Sequence, residues 1–389
     1  MNTDLIYLDN AATSWPKPEG VARAMAECLE REAGNPGRSG HRLSLAAARR
    51  VYAVREAVAA LVGAPDPVRV IFTHNGTMAV NLALGGLLSP GDRVVCTGME
   101  HNAVMRPLRD LEELGIEVVV APCDREGRLD LEAFARAVEA APTRIVALNH
   151  ASNVTGTICP VAEAAAIAHR AGALVLVDAA QSAGCVPINM AAMGIDLLAF
   201  TGHKGLMGPT GTGGLILGER VNAAEMKPLI RGGTGSRSAL ERQPPDLPDR
   251  FEAGTVNFVG IAGLGAGLEA LLAMGGPEAV GRHERELARQ LWEGLSAIPG
   301  VQLYGTPDFT RRVAVVSFTV EGRTVSEVGA RLDEEFGILA RVGLHCAPAA
   351  HRTIGTSPKG TVRLSPGPFN TPEHVERTIE AVRRIARGA

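Results

Sequence analysis

Ile195-Asp-Leu-Leu-Ala-Phe200-Thr-Gly-His-Lys204 is an apolar run of strand length that stops at a threonine, a glycine, a histidine and a lysine. A lysine at the mouth of a buried strand, beside small flexible residues, can be desolvated and brought against a carbonyl, as a Schiff-base lysine requires. The glycine-rich Gly208-Pro-Thr-Gly-Thr-Gly-Gly214 follows, and a lysine in such a loop is also an ordinary surface cation. The neighbours decide between the two.

Upstream, short apolar runs alternate with helical patterns. Strands are expected at 68–72, 93–96, 117–120, 144–148, 173–177 and 196–200. Helices are expected at 19–31, 44–62, 77–87 and 104–114, with further helices between the later strands. Nearly continuous apolar strands separated by helices indicate an α/β fold with a large, mostly parallel sheet covered on both faces. Ligands in such sheets sit at the carboxyl ends of the strands, which gathers residues 73–77, His101, 149–153, 178–181 and 201–204 around one crevice. Downstream of residue 257 the pattern becomes a smaller α+β unit, with helices at 260–274, 278–296, 325–336 and 372–387 and a strand at 313–320. The expected division is a large domain over 15–257 and a small domain built from 1–14 and 258–389.

The totals narrow the partners. Across 389 residues, 46% are hydrophobic and 21% charged, and the formal net charge is −3. Nothing in that balance draws the chain to nucleic acid or an anionic membrane, so a small-molecule partner is expected. The amino terminus has no basic segment followed by an apolar stretch, and the expectation is a soluble, cytoplasmic protein. Six cysteines (Cys28, Cys96, Cys123, Cys159, Cys185 and Cys346) lack any C-x-x-C spacing and read as reduced thiols with no metal site. Gly263-Leu-Gly265-Ala-Gly267 lacks the preceding strand of a dinucleotide fingerprint, and 208–214 lacks the lysine of a P-loop.

If Lys204 held pyridoxal 5'-phosphate, the cofactor would make definite demands. Its pyridine nitrogen needs a carboxylate, and Asp178 ends the preceding strand of the same crevice. Its phosphate needs backbone amides and hydroxyls at a helix start, which Gly76 and Thr77 supply after a strand, with Thr201 and His203 beside the lysine. Its ring needs a flat partner that can also carry a proton, and His101 occupies the crevice.

In order and spacing, Phe72-Thr-His-Asn-Gly-Thr77, Glu100-His-Asn102, Asn149-His-Ala-Ser-Asn-Val-Thr-Gly156, Val177-Asp-Ala-Ala-Gln181, Thr201-Gly-His-Lys204 and Phe251-Glu-Ala-Gly-Thr255 resemble the class V aminotransferase group of fold-type I pyridoxal-phosphate enzymes. Arg341-Val-Gly-Leu-His-Cys346-Ala, Val362-Arg363-Leu-Ser365 and Phe369-Asn-Thr371 are similar to cysteine desulfurases and selenocysteine lyases. The resemblance covers nearly the whole chain. It implies that Lys204 bonds the cofactor, Asp178 meets the pyridine nitrogen, Gln181 donates to the phenolate oxygen and His101 stacks as the acid/base group. It implies that Gly76, Thr77, Thr201 and His203 hold the phosphate and that Thr255 reaches a partner subunit's cofactor in a homodimer. It also implies that Arg363 clamps the substrate carboxylate with help from Asn153, and it places His41 and Arg341 at family positions near the substrate.

Cys346 separates the chain from simple transaminases. A thiolate is a good nucleophile beside cations, and His345 and Arg341 are close in sequence. The implied activity is conversion of L-cysteine to L-alanine, leaving a persulfide on Cys346 for a sulfur-acceptor protein. L-selenocysteine is the alternative substrate; another lyase, epimerase or transaminase of the same fold, or a cofactor-free binding or scaffold module, are more distant readings. The chain departs from the family pattern at Asn75, Met78, Leu344 and 348–351, which leaves sulfur against selenium and the identity of the acceptor open.

Overall fold

The structure, a computed structural model, describes residues 5–388 apart from Ala33 and Arg38. Residues 1–4 and 389, expected in the small domain, lie outside that range. A two-residue strand β1 (Ile6–Tyr7) precedes helices α1 (Glu19–Arg31) and α2 (Arg42–Val62), and Gly63 ends α2 in the left-handed conformation at φ 61°. Strand and helix then alternate through β2 (Val70–Thr73), α3 (Gly76–Leu87), β3 (Arg93–Thr97), α4 (Asn102–Glu113), β4 (Glu117–Ala121), α5 (Leu131–Glu139), β5 (Ile145–Asn149), α6 (Val161–Arg170) and β6 (Leu174–Asp178), ending in β7 (Leu197–Thr201) and β8 (Gly213–Leu217).

These strands form one seven-stranded sheet in the order β2-β8-β7-β6-β5-β3-β4, parallel except that β8 runs against both neighbours. The strict side-chain alternation of a strand explains why β5 and β7 are buried throughout and β6 from Val175 onward. Val146, Leu148, Val175, Val177, Leu198 and Phe200 enter one core layer, whereas Ile145, Ala147, Leu176, Leu197 and Ala199 enter the layer on the opposite face.

In sequence the first two residues of β8, Gly213 and Gly214, belong to a glycine-rich stretch that reads as a loop. Its glycines answer a packing demand instead. A Cβ on Gly213 would stand 2.6 Å from the Asn75 backbone, and one on Gly214 would stand 2.5 Å from the Phe200 ring.

The remaining chain supplies α7 (Phe258–Ala273), α8 (Gly276–Ser296), β9 (Val301–Tyr304), β10 (Val316–Val320), α9 (Val325–Phe336), β11 (Ile338–Leu339), β12 (Arg341–Gly343), α10 (Pro348–Thr353), β13 (Thr361–Leu364) and α11 (Pro372–Arg387). A four-stranded antiparallel sheet, β12-β13-β10-β9, packs under α8, α9 and α11. Ile6 and Leu8 join that core, with β1 paired in parallel to β11. Helix α7 departs from the expected division at residue 258. Phe258, Ile261, Leu264 and Leu268 are buried in the core layer of the large sheet beside α2. Among the described residues no single helix is long and apolar enough to cross a membrane.

Candidate active site

The strand ends converge. Asn149 of β5 pairs with Asp178 of β6, which pairs in turn with Ala199 of β7, and Lys204 lies three residues beyond the end of β7. A cavity of about 230 Å³ opens there, walled by Gly76, Thr77, His101, Asn149, Asn153, Asp178, Gln181, Thr201, His203 and Lys204. The crevice expected from the strand pattern is therefore formed within one chain.

Burial pushes the Lys204 ammonium down from 10.5 to about 8, against the opposing pull of the Asp178 carboxylate, and Arg363 and Arg341 push it further down. Asp178 is buried and accepts from the Ala180 amide at 3.0 Å.

One end of the cavity suits an anion. Asn75 caps α3 through the amides of Met78, at 2.8 Å to its side chain, and Ala79, at 3.2 Å to its carbonyl. The cap leaves the Gly76 and Thr77 amides of the first turn aimed out of the helix end. Thr201 Oγ1 and His203 Nδ1 are buried in the same wall and have no hydrogen-bond partner among the described residues. Buried polar atoms are nearly always satisfied. Two orphans beside a helix N-terminus and a buried lysine fit the phosphate and aldehyde of pyridoxal 5'-phosphate. Burial, reinforced by Lys204 and Lys17, lowers the His203 imidazole to about 4, so it is neutral.

His101 caps α4, its Nδ1 accepting from the Ala103 amide at 3.0 Å, which assigns the ring proton to Nε2. Burial lowers this imidazole to about 4 although Asp178 pulls the other way. Behind it, fully buried Glu100 accepts from Thr97 Oγ1 at 2.7 Å and from the Asn149 amide at 3.0 Å, and burial raises its carboxyl to about 8. Gln181 lines the cavity and donates through Nε2 to the Ala11 carbonyl at 2.9 Å.

Arg363 has no exposed surface. It donates to Asp9 Oδ1 at 2.6 Å and to the Asn153 carbonyl at 3.1 Å, and its Nε has no partner. Asn153 donates to the His345 carbonyl at 2.6 Å while its own Oδ1 is buried and unpaired. An unpaired guanidinium nitrogen and an unpaired amide oxygen on one carbonyl-linked pair suit the carboxylate and ammonium of an amino acid. Asp9 was not singled out in the sequence, because nothing local marks a residue whose partner is hundreds of positions away.

Cys346 is the exposed cysteine among the described residues. It and His345 both adopt left-handed backbone, at φ 58° and 49°, a conformation that non-glycine residues hold only when the surroundings enforce it. The enforcement is visible: the Asn102 amide donates to the Cys346 carbonyl at 2.9 Å, and Asn153 holds the preceding one. Arg341 Nη2 donates to Cys346 Sγ at 3.3 Å. His345, expected as a second cation near the thiol, is buried against Thr361 Oγ1 at 2.9 Å, and burial lowers it to about 2. Arg341 is the cation in contact with the thiol.

Two candidates stand elsewhere. Exposed His41 caps α2, accepting from the Ser44 amide at 3.3 Å, and exposed Thr255 accepts from Asn35 Nδ2 at 3.4 Å. Neither lines the Lys204 cavity of its own chain.

Residues 6–378 match the family model for Aminotransferase class-V. The chain is 37% identical over 387 residues to a probable cysteine desulfurase from Methanothermobacter thermautotrophicus, covering 98% of this chain and 95% of that protein. It is 35% identical over 391 residues to a cysteine desulfurase from Pectobacterium atrosepticum, covering 98% and 93%. Among solved structures it is similar to the apo cysteine desulfurase from Thermococcus onnurineus NA1, with a TM-score of 0.93, 36% identity and coverage of 99% and 95%. The Escherichia coli cysteine desulfurase CsdA, in an S-sulfonic acid form, superposes with a TM-score of 0.88 at 32% identity, covering 100% and 96%.

Proposed function

Because the chain belongs to the class-V aminotransferase family, whose cofactor is pyridoxal 5'-phosphate, we propose that it is a cysteine desulfurase that stores the abstracted sulfur as a persulfide on Cys346. The single observation that carries the sulfur step is Cys346 itself: exposed, 3.3 Å from the Arg341 guanidinium, with its carbonyl held by the Asn102 amide and the His345 carbonyl before it held by Asn153, which lines the cavity.

Lys204 would hold the cofactor, with Asp178 at its pyridine nitrogen, His101 on its ring, Gln181 at its phenolate oxygen, and Gly76, Thr77, Thr201 and His203 on its phosphate. When bound, the group supplies an electron sink for the Cα–H bond of an amino acid. Arg363 orients the substrate carboxylate, and Asn153 Oδ1 faces its amino group. Lys204, whose depressed pKa yields an appreciable neutral fraction near pH 7, takes the Cα proton. The Cys346 sulfur, 3.3 Å from the Arg341 guanidinium, attacks the substrate sulfur as its thiolate. A sulfur–sulfur bond forms as the substrate Cβ–S bond breaks, so that L-cysteine and the Cys346 thiol become L-alanine and the Cys346 persulfide. A thiol of an acceptor protein then takes the terminal sulfur.

The exposed positions of His41 and Thr255, together with exposed Leu43, Leu45, Tyr52 and Ile230, support a homodimer in which a second copy covers this face. An active species that sediments as a monomer contradicts it. Comparison of kcat/KM for L-cysteine and L-selenocysteine separates desulfurase from lyase: retention of full activity on the selenium substrate alone in Cys346→Ala assigns the second role. Alanine and sulfide released from L-cysteine under reductant test the main proposal, and unchanged turnover in Cys346→Ala removes the persulfide step.

A further inference from the structure

Four consecutive carbonyls of one loop accept hydrogen bonds from the smaller domain. Asn153 O takes Arg363 Nη1 at 3.1 Å, Val154 O takes Ser317 Oγ at 2.6 Å, Thr155 O takes Arg312 Nη2 at 3.0 Å, and Gly156 O takes the Val313 amide at 2.8 Å. The loop follows β5 of the large sheet. A loop whose carbonyls are all engaged by another body is positioned by that body.

Arg312 is the unusual member. It has no exposed surface, and none of its polar partners among the described residues is a carboxylate. Its guanidinium donates to the carbonyls of Thr306, Thr155 and Val315. Its Cζ lies 4.4 Å from the Trp292 ring centroid and 4.9 Å from that of Phe309. Burial pushes its pKa down to about 9, which leaves it cationic at neutral pH. Retaining a buried charge that only carbonyl dipoles and ring faces compensate is costly unless it fixes geometry. The planar fork can hold three carbonyls at set angles, which an ammonium cannot.

The contacts run on toward the reacting atoms. Thr155 is two residues from Asn153, whose Nδ2 holds the His345 carbonyl at 2.6 Å, and Cys346 follows in its left-handed conformation. Gly156 permits the approach: at φ 76°, a Cβ there would stand 2.8 Å from the Val313 carbonyl and 3.0 Å from that of Val315. We infer that Arg312 is a positioning residue for sulfur transfer, acting through the 153–156 loop to hold the Cys346 turn of the small domain in register with the Lys204 cavity of the large one. The inference rests on the desulfurase reading for its chemistry but not for its geometry.

The test uses the holoenzyme and three variants, Arg312→Met, Arg312→Lys and Ser317→Ala, read by amide hydrogen exchange and by alanine formation. Expected for Arg312→Met is exchange about tenfold faster or more at residues 344–348 and at Asn102, with β5 and β6 unchanged. A fall in kcat of about 10- to 100-fold should accompany it, as for a misplaced reacting group. Arg312→Lys should fall between wild type and Arg312→Met. If Arg312→Met does not fold, Ser317→Ala decides, with faster exchange confined to 153–156 and 344–348 expected. Unchanged exchange at 344–348, or acceleration spread evenly over the chain, overturns the inference. A wild-type protein that makes no alanine contradicts the desulfurase reading instead, and the exchange result still judges Arg312.

Discussion

Arg363 Nη2 lies 2.6 Å from Asp9 Oδ1, so a fully buried guanidinium from β13 is met by a carboxylate just beyond β1. Under the proposed function Asp9 belongs to the substrate site, because it sets the direction in which the Nε of Arg363 faces. Asp9→Asn keeps the shape and removes the charge. The expected result is a fall in kcat/KM for L-cysteine of about tenfold, carried mainly by KM, in line with the loss of a charge-assisted hydrogen bond. Initial rates over a range of L-cysteine check it, and an unchanged KM places Asp9 outside the site.

The depressed pKa of Lys204 has its own signature. An amine combines with an aldehyde only when neutral, and Lys204 becomes neutral as pH rises through about 8. The rate at which cofactor-free protein takes up pyridoxal phosphate should therefore climb through pH about 8 and level off. A rate that keeps climbing to pH 10 indicates an ordinary lysine. Stopped-flow absorbance gives the profile.

Glu252 supports the site from behind. Its carboxylate accepts from Arg55 at 2.8 and 2.9 Å and from the Phe72 amide at 2.6 Å, and both side chains of the ion pair are almost wholly buried. Glu252→Gln leaves the Arg55 charge buried without its counterion. A loss of about 3–5 kcal/mol in urea unfolding is expected, and a loss under 1 kcal/mol, the range of an exposed pair, contradicts the reading.

His150 is buried, bonded to Ser182 Oγ at 2.8 Å, and lowered by burial from 6.5 to about 4. The unfolded chain takes up this proton near pH 6.5 and the folded one only near 4. Its contribution is complete above pH 6.5 and declines as pH falls toward 4, by up to about 3 kcal/mol. Unfolding midpoints at pH 7 and pH 5 should differ less in His150→Gln than in wild type. Equal differences contradict the assignment.

Much of this site was legible because strand ends are. Lys204, Asp178, His101 and Thr77 each follow a short apolar run, and a parallel sheet brings such positions together whatever the intervening helices do. β8 escaped because Gly213 and Gly214 look like loop residues, whereas their missing side chains make room for Asn75 and Phe200. His345 was read as a cation from its proximity to Cys346 in the chain, but φ 49° and the contact with Thr361 turn it into the core. Asp9 and Arg312 carry no local signal, since their significance lies in contacts set by the tertiary fold.

The central claim is that sulfur leaves L-cysteine onto Cys346. The most direct measurement is the mass of the peptide containing Cys346 after the holoenzyme is mixed with stoichiometric L-cysteine in the absence of reductant and then alkylated. A gain of one sulfur atom on that peptide, with alanine formed in equal amount, is the predicted result. Alanine formed in full with no sulfur on Cys346 contradicts it.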